Sequence, residues 1–332
     1  MDNPRDVFQL PRKVVHILLT EGWRSFFIKS WEWMSGHIVH KVRFRLSSAL
    51  KKRPVRSTHV KIAAVTMVYN EALILPYFLR HYGCLDEIRV LYETDTTDES
   101  LAILIRAPNV VVEKCHIEGG LDDIEKINII NKTVQSIKAD WVYVVDPDEF
   151  VFPPNGISPS DFLRRQTCDV VRSGMFQVYR NRSDKDLDPS LPPVPQRIHG
   201  DPDLFSTITE ANRPSNSMYI KPNVVRTSKG IQFLPGHHQI DGNPQASDEL
   251  YVGAHWQMAD PSIALHRRME RKARISKRNK VLRMGWQHFG VTVDRIKKEL
   301  ECHLDDPAID VLCSFDEAII QNPWQGTRTD SR

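Results

Sequence analysis

"DWVYVVDPDEFVF", residues 140–152, carries five apolar positions, Trp141 to Val145, straight into three acids within four positions, Asp146, Asp148 and Glu149. The apolar half reads as a buried strand, which places the acids at its carboxyl end. Neighbouring carboxylates repel and burial raises their pKa, so a packed arrangement of this kind calls for a cation. The stretch itself contains none. Pro147 fixes φ and lacks an amide hydrogen, so an extended turn brings the carboxylates of Asp146 and Asp148 close together without a helix. Such a pair suits Mg2+ or Mn2+, which take oxygen ligands and complete their shells with water and phosphate.

Outward from this stretch, strand and helix patterns alternate. "VKIAAVTMV" (60–68), "EIRVLYE" (87–93) and "VVVEKC" (110–115) read as strands. A helix ending near Gly83, another over 98–106 and a long one over 121–138 separate them. This alternation predicts an α/β fold with a mostly parallel sheet and helices on both faces. Ligands of such sheets bind beyond the strands' carboxyl ends. Asn70 and Glu71 follow the first strand and Thr94 to Asp98 the second, so three polar turns are expected at one edge.

Further along, 168–180, 217–226 and 250–256 read as strands. The proline-rich segment 187–216 between them reads as a functional loop or lid. A single helix is expected over 259–283, with Asp260 as N-cap and Pro261 in its first turn.

Residues 1–60 hold twelve Lys and Arg against four Asp and Glu, a net +8 that leaves −5 to the rest of a chain whose formal charge is +3. They also hold Trp23, Trp31 and Trp33, with Phe26 and Phe27. An amphipathic helix over 12–34 is expected, either packed on the main domain or docked on an anionic membrane face, with "KKRPVRS" (51–57) as linker. The bulk charge is too small to suggest a nucleic-acid partner. Five scattered cysteines without a C-x-x-C pair point to a reducing compartment, and no apolar run approaches the length of a membrane span. A cytoplasmic protein, peripheral at the inner membrane face, is the resulting expectation. The expected division is 1–57 basic extension, 58–155 and 156–305 the two halves of the α/β domain, and 306–332 a tail.

"VTMVYNE" (65–71), "ETDTTDES" (93–100) and "DWVYVVDPDEFVF", in this order, resemble the nucleotide-sugar-binding half of GT-A glycosyltransferases. The chain is most similar to family-2-like bacterial members with a D-x-D-E-F motif, well over 60–155 and more loosely over 217–283. The resemblance implies a Rossmann-like GT-A fold and a nucleotide pocket lined by Tyr69, Asn70, Glu71, Glu93, Asp98 and Asn131. It implies a metal, Mn2+ or Mg2+, on Asp146, Asp148 and a downstream histidine, His255, with His237 and His238 as competitors. Arg267, Arg268 and Arg271 on the following helix are candidate diphosphate partners.

Glu93 stands where such enzymes usually carry Asp, and Glu99 replaces a common Gly. The acceptor-side E-D pair and the Q-x-x-R-W motif of processive members are missing, which disfavours a polymerising synthase and leaves the base unassigned. Asp241, Asp248 and Glu249 are its candidates, with Asp201 and Asp203 as further acids. The reading is a single-sugar transferase acting from a nucleoside-diphosphate sugar on a saccharide or lipid-linked acceptor, in cell-surface polysaccharide or glycolipid assembly. A sugar nucleotidyltransferase is the first rival, but "VYNEALILP" lacks its glycine-rich loop. The second is a non-catalytic binding module, which retention of Asp146 and Asp148 disfavours.

Overall fold

The computed structural model describes residues 59–153, 157–200, 220–247, 250–285 and 288–306, all within the second of two compact units, Thr58–Arg332. The basic segment and its expected helix lie outside the described residues.

The chain is α/β, as its alternation predicts. In order come β1 (Ile62–Val68), α1 (Leu75–Tyr82), β2 (Glu87–Glu93), α2 (Ser100–Leu104), β3 (Val110–Cys115), α3 (Asp123–Ser136) and β4 (Trp141–Val144). β5 (Glu149–Phe152), α4 (Pro159–Arg165), β6 (Val170–Tyr179), β7 (His199–Gly200), β8 (Ile220–Arg226) and β9 (Tyr251–Met258) follow. The last elements are α5 (Pro261–Arg274), α6 (Lys277–Leu282) and α7 (Val293–Cys302).

One sheet runs in the order β3-β2-β1-β4-β8-β6-β9-β5, with β7 on β6. The pairs from β3 to β4 are parallel. β8 then joins β4 and β6 antiparallel, β6 and β9 are parallel, and β5 closes the edge antiparallel to β9. Every residue of β1 is buried because both faces are covered. Ile62, Ala64 and Val68 pack with Leu75, Phe78 and Tyr82 of α1. Ala63, Val65 and Met67 pack with Ile127, Ile130 and Val134 of α3. The sheet's central strands are thus sandwiched, and their carboxyl ends are the open edge.

Two features depart from the sequence pattern. β5 is a strand to which the sequence pattern assigned no element; the turn 145–148 carries the chain to β9, where Glu149 pairs in register with His255. Tyr82 anchors it, its hydroxyl donating to the Glu149 carbonyl at 2.8 Å and accepting from the Val151 amide at 3.0 Å. The helix expected over 259–283 is two helices. Ile275 is extended, and Ser276 caps α6 by accepting from the Asn279 amide. Backbone bonds to Leu121 from either side of the break hold it open: Leu121 N–H donates to the Arg274 carbonyl at 2.6 Å, and Ser276 N–H to the Leu121 carbonyl at 3.0 Å. Of the proline-rich segment, 187–200 is a compact turn in which the Gln196 side chain bonds Asp188 N–H and carbonyl.

Candidate functional site

Two clefts open at the carboxyl ends of β1, β2 and β4 and share Leu121, Lys126, Asp146 and Arg271. The narrow one, about 50 Å3, is walled by Tyr69, Asn70 and Glu71 after β1, Glu93 at the end of β2, and Glu270 and Arg274 of α5. The wide one, about 620 Å3, lies against β6, β8 and β9 and the turn 235–238.

The first turn is built around Asn70, which adopts a left-handed φ of 48° that side chains rarely take. Its Oδ1 accepts from the Thr97 and Asp98 amides at 2.8 and 3.3 Å, while its Nδ2 donates to Glu270 at 3.1 Å. Asp98 completes the brace, accepting from Ala72 N–H and Ser100 N–H. Both oxygens of Asp98 are thereby engaged, and it lines neither cleft. Asn131 is also occupied away from the clefts: its amide exchanges two hydrogen bonds with the backbone of Phe233, at 2.8 and 2.9 Å. It thus braces the segment that leads into the 235–238 turn.

The acids of the opening stretch are compensated by the chain's own cations. Lys126 of α3 meets Asp146 at 2.8 Å, Lys221 of β8 meets Glu149, and Arg267 of α5 bridges Asp148, at 2.8 Å, and Glu71. The positive charge that the stretch itself lacks is thus supplied in part by three elements distant along the chain. Burial raises the Asp146 carboxyl, but Lys126, then His237, Lys221 and Arg271, overcome it and hold it well below the ordinary range. For Glu149 burial raises the carboxyl, but Lys221 and the neighbouring His237 ring outweigh it, leaving it at about 2. Asp148 is likewise depressed, burial being overcome by Arg267, His255 and Arg271. Glu71 goes the other way: burial lifts it to about 7 in spite of Arg267 and Arg271, with Asp148 and Asp146 adding to the rise.

Asp146 and Asp148 have different neighbours. Asp148 is fully buried against Arg267 and His255, whose Nε2 lies 3.2 Å away, and His255 Nδ1 contacts Gln177 at 2.8 Å. Its oxygens sit at ion-pair distance from these groups without the alignment of a hydrogen bond. Asp146 groups instead with Glu149 and His237, one ligand atom of each lying within 4.8 Å of the others. His237 Nε2 is 3.5 Å from Asp146 and 3.8 Å from Glu149. The ring is buried, neither nitrogen makes a hydrogen bond, and the backbone holds a left-handed φ of 45°. Two carboxylate oxygens and an unpartnered imidazole fit a divalent cation of the Mn2+ type. The metal-ligand geometry therefore favours His237, the competitor, over His255.

On α5, Arg267, Arg271 and Arg274 recur at i, i+4 and i+7 and face the narrow cleft together. Arg271 is surrounded by Asp148, Asp146, Glu71 and Glu149, which raise its pKa against burial. Arg274 stacks on Tyr69, 3.3 Å from the ring centroid, and pairs with Glu93. Arg268 points to the wide cavity and pairs with Glu299 at 2.5 Å. Asp241 is exposed, accepts from Gly242 N–H and lines neither cleft. Asp201, Asp203, Asp248 and Glu249 lie outside the described residues.

Sequence reasoning missed Lys126, Lys221 and Arg274. Arg274 had a signal, the seven-residue spacing from Arg267; the two lysines, lone cations on a helix and a strand, had none.

No family model and no curated protein matches the chain. Among solved structures, S. aureus TarS 1-349 aligns at 13% identity and a TM-score of 0.33, over 72% of this chain and 69% of that one. Glucosyl-3-phosphoglycerate synthase from Mycobacterium tuberculosis, in complex with Mn2+, UDP and glucosyl-3-phosphoglycerate, aligns at 15% identity and a TM-score of 0.26. That match spans 39% of this chain and 50% of the other.

Proposed function

We propose that the chain is a GT-A glycosyltransferase that moves one sugar from a nucleoside diphosphate to a saccharide or lipid-linked acceptor, in cell-surface polysaccharide or glycolipid assembly at the inner membrane face. The observation that carries the reading is the position of Asp146, at the junction of the narrow and wide clefts, beside Lys126 and Arg271. A nucleotide would occupy the narrow cleft, with its base at Tyr69 and Glu93 and its diphosphate along Arg271 and Lys126. The sugar would then project past Asp146 into the wide cavity.

As the bond from the anomeric carbon to phosphate oxygen breaks, the departing diphosphate gains negative charge. Arg271 and Lys126, fixed by surrounding carboxylates, are preorganised to stabilise that charge more than the ground state. Asp146, Glu149 and His237 would hold Mn2+ or Mg2+, which adds positive charge at the same phosphate when bound. The raised pKa of Glu71 keeps part of its population protonated at neutral pH, which lessens repulsion of an incoming diphosphate.

A second reading, favoured by the complete pairing of the acids with Lys126, Lys221 and Arg267, is a transferase that needs no metal. Melting curves separate the two. A shift from UDP or GDP that requires Mn2+, is lost with EDTA and is lost in Asp146→Asn supports the metal-dependent enzyme. Equal shifts with and without EDTA support the second reading. Absence of both a shift and donor hydrolysis across a panel of sugar nucleotides refutes glycosyl transfer.

A further inference from the structure

The wide cavity is larger than a transferred sugar needs, and its polar groups are unbalanced. Its volume, about 620 Å3, is that of a small-molecule site. Lys221, Arg268, Arg271 and Arg283 reach its wall, together with His238 and His288. The carboxylates on that wall are already engaged: Asp123 by Asn279 at 3.2 Å, Asp146 by Lys126 at 2.8 Å and Glu299 by Arg268 at 2.5 Å. Arg283 has no carboxylate within 4 Å among the described residues, and the nearest to Arg271 is Asp148, at 4.0 Å.

Two wall residues also carry buried polar atoms without partners. Nδ1 of His288 and Nε of Arg268 make no hydrogen bond, although both residues are over nine-tenths buried. The surroundings are positive: burial first, then Arg271, Arg268 and Arg267, pushes His288 down to about 3. Strain marks the walls as well. His237 and Arg283, both on the wall, adopt φ of 45° and 54°. Arg283 ends α6 in the left-handed conformation usually given to glycine, and retaining a charged side chain there costs on the order of 1 kcal/mol. Five cations on this wall, Lys126, Lys221, Arg268, Arg271 and Arg283, outnumber its three carboxylates, Asp123, Asp146 and Glu299. An accept-only group is what donors in excess recognise.

We infer that the wide cavity binds a phosphate-type oxyanion through Arg283, His288 and Arg268, and, on the reading above, that this oxyanion belongs to the acceptor. The site is separate from that of the donor diphosphate, because Arg283, His288 and Arg268 line only the wide cavity. The oxyanion comes from a soluble phosphomonoester or from a lipid phosphate headgroup.

Calorimetric titration of the full chain with inorganic phosphate, ribose 5-phosphate and dihexanoyl phosphatidic acid, with and without saturating UDP and Mn2+, tests this. The expected result is one site for at least one organic phosphate, not displaced by UDP. It should weaken about tenfold or more in Arg283→Gly and in His288→Gln. Arg283→Gly relieves the backbone strain while removing the cation, so its melting temperature should not fall and misfolding cannot account for the loss. The sugar phosphate binding more tightly assigns a soluble acceptor, and the phosphatidic acid a lipid one. No phosphate binding, binding unchanged in both variants, or binding displaced by UDP overturns the inference. If phosphate binds as expected while no sugar nucleotide is hydrolysed, the transferase reading falls and the oxyanion site stands.

Discussion

Arg274 occupies the place that the transferase reading gives to a nucleobase. Its planar guanidinium stacks on Tyr69 and donates to Glu93, and a base would use the same two groups. With the side chain there, about 50 Å3 remains, room for little more than water. Its backbone is held by Leu121, so only the side chain is free to leave. Stacking and a charge-assisted hydrogen bond in this largely buried pair are together worth about 1–2 kcal/mol. Arg274→Ala should therefore bind UDP or GDP about 5- to 30-fold more tightly than wild type. The measurement belongs at pH 8, because burial raises the Glu93 carboxyl and loss of Arg274 removes the main group that opposes the rise. Equal or weaker binding would show that Arg274 serves the ligand rather than excluding it. Tyr69, Asn70, Glu71, Glu93 and Asp146 were legible in sequence because each follows a recognisable strand. Lys126 and Lys221 were not, because pairing between residues 20 and 72 positions apart leaves no local pattern.

Among the elements, the break between α5 and α6 sets where Arg271 and Arg274 stand. Apolar periodicity runs through it, so one long helix was the natural expectation; the stop lies in backbone bonds to Leu121, which no local sequence encodes. The N-termini of α3 and α6 interlock at the same place. Asp122 caps α3 and also accepts from Ser276 and Arg278, while Asn279 bonds Asp123 N–H. Gly119 and Gly120 precede this contact with φ of 75° and 97°. A Cβ at Gly119 meets nothing within 4 Å, whereas one at Gly120 would overlap the Arg274 carbonyl. Gly119→Ala should cost only the backbone penalty, about 1 kcal/mol. Gly120→Ala should cost about 3 kcal/mol and also weaken nucleotide binding, since the end of α5 must move. Urea unfolding of both variants checks this; equal midpoints would mean that the contact with Arg274 does not hold α5 in place.

Over the whole molecule, the sequence reads most clearly where the sheet is parallel, since β1 and β4, covered on both faces, are near-continuous apolar runs. Past β4 the pairing turns mixed, and β5 reaches β9 across a hundred residues, beyond any local signal. Charge is also unevenly spread. Twelve Lys and Arg with three of the seven tryptophans stand in residues 1–60, against a net −5 for the rest. An anionic membrane attracts each basic residue near its surface by about 1 kcal/mol, within a Debye length of about 8 Å at physiological salt. Tryptophans among such residues add affinity for the interface. If a membrane-borne acceptor is the target, the full chain should sediment with phosphatidylserine vesicles at 0.1 M salt and be released at 0.5 M. Deletion of residues 1–56 should abolish sedimentation and leave the nucleotide-dependent melting shift intact. Sedimentation that survives the deletion, or that ignores salt, would remove the basic segment as a membrane address and leave a soluble acceptor as the simpler partner.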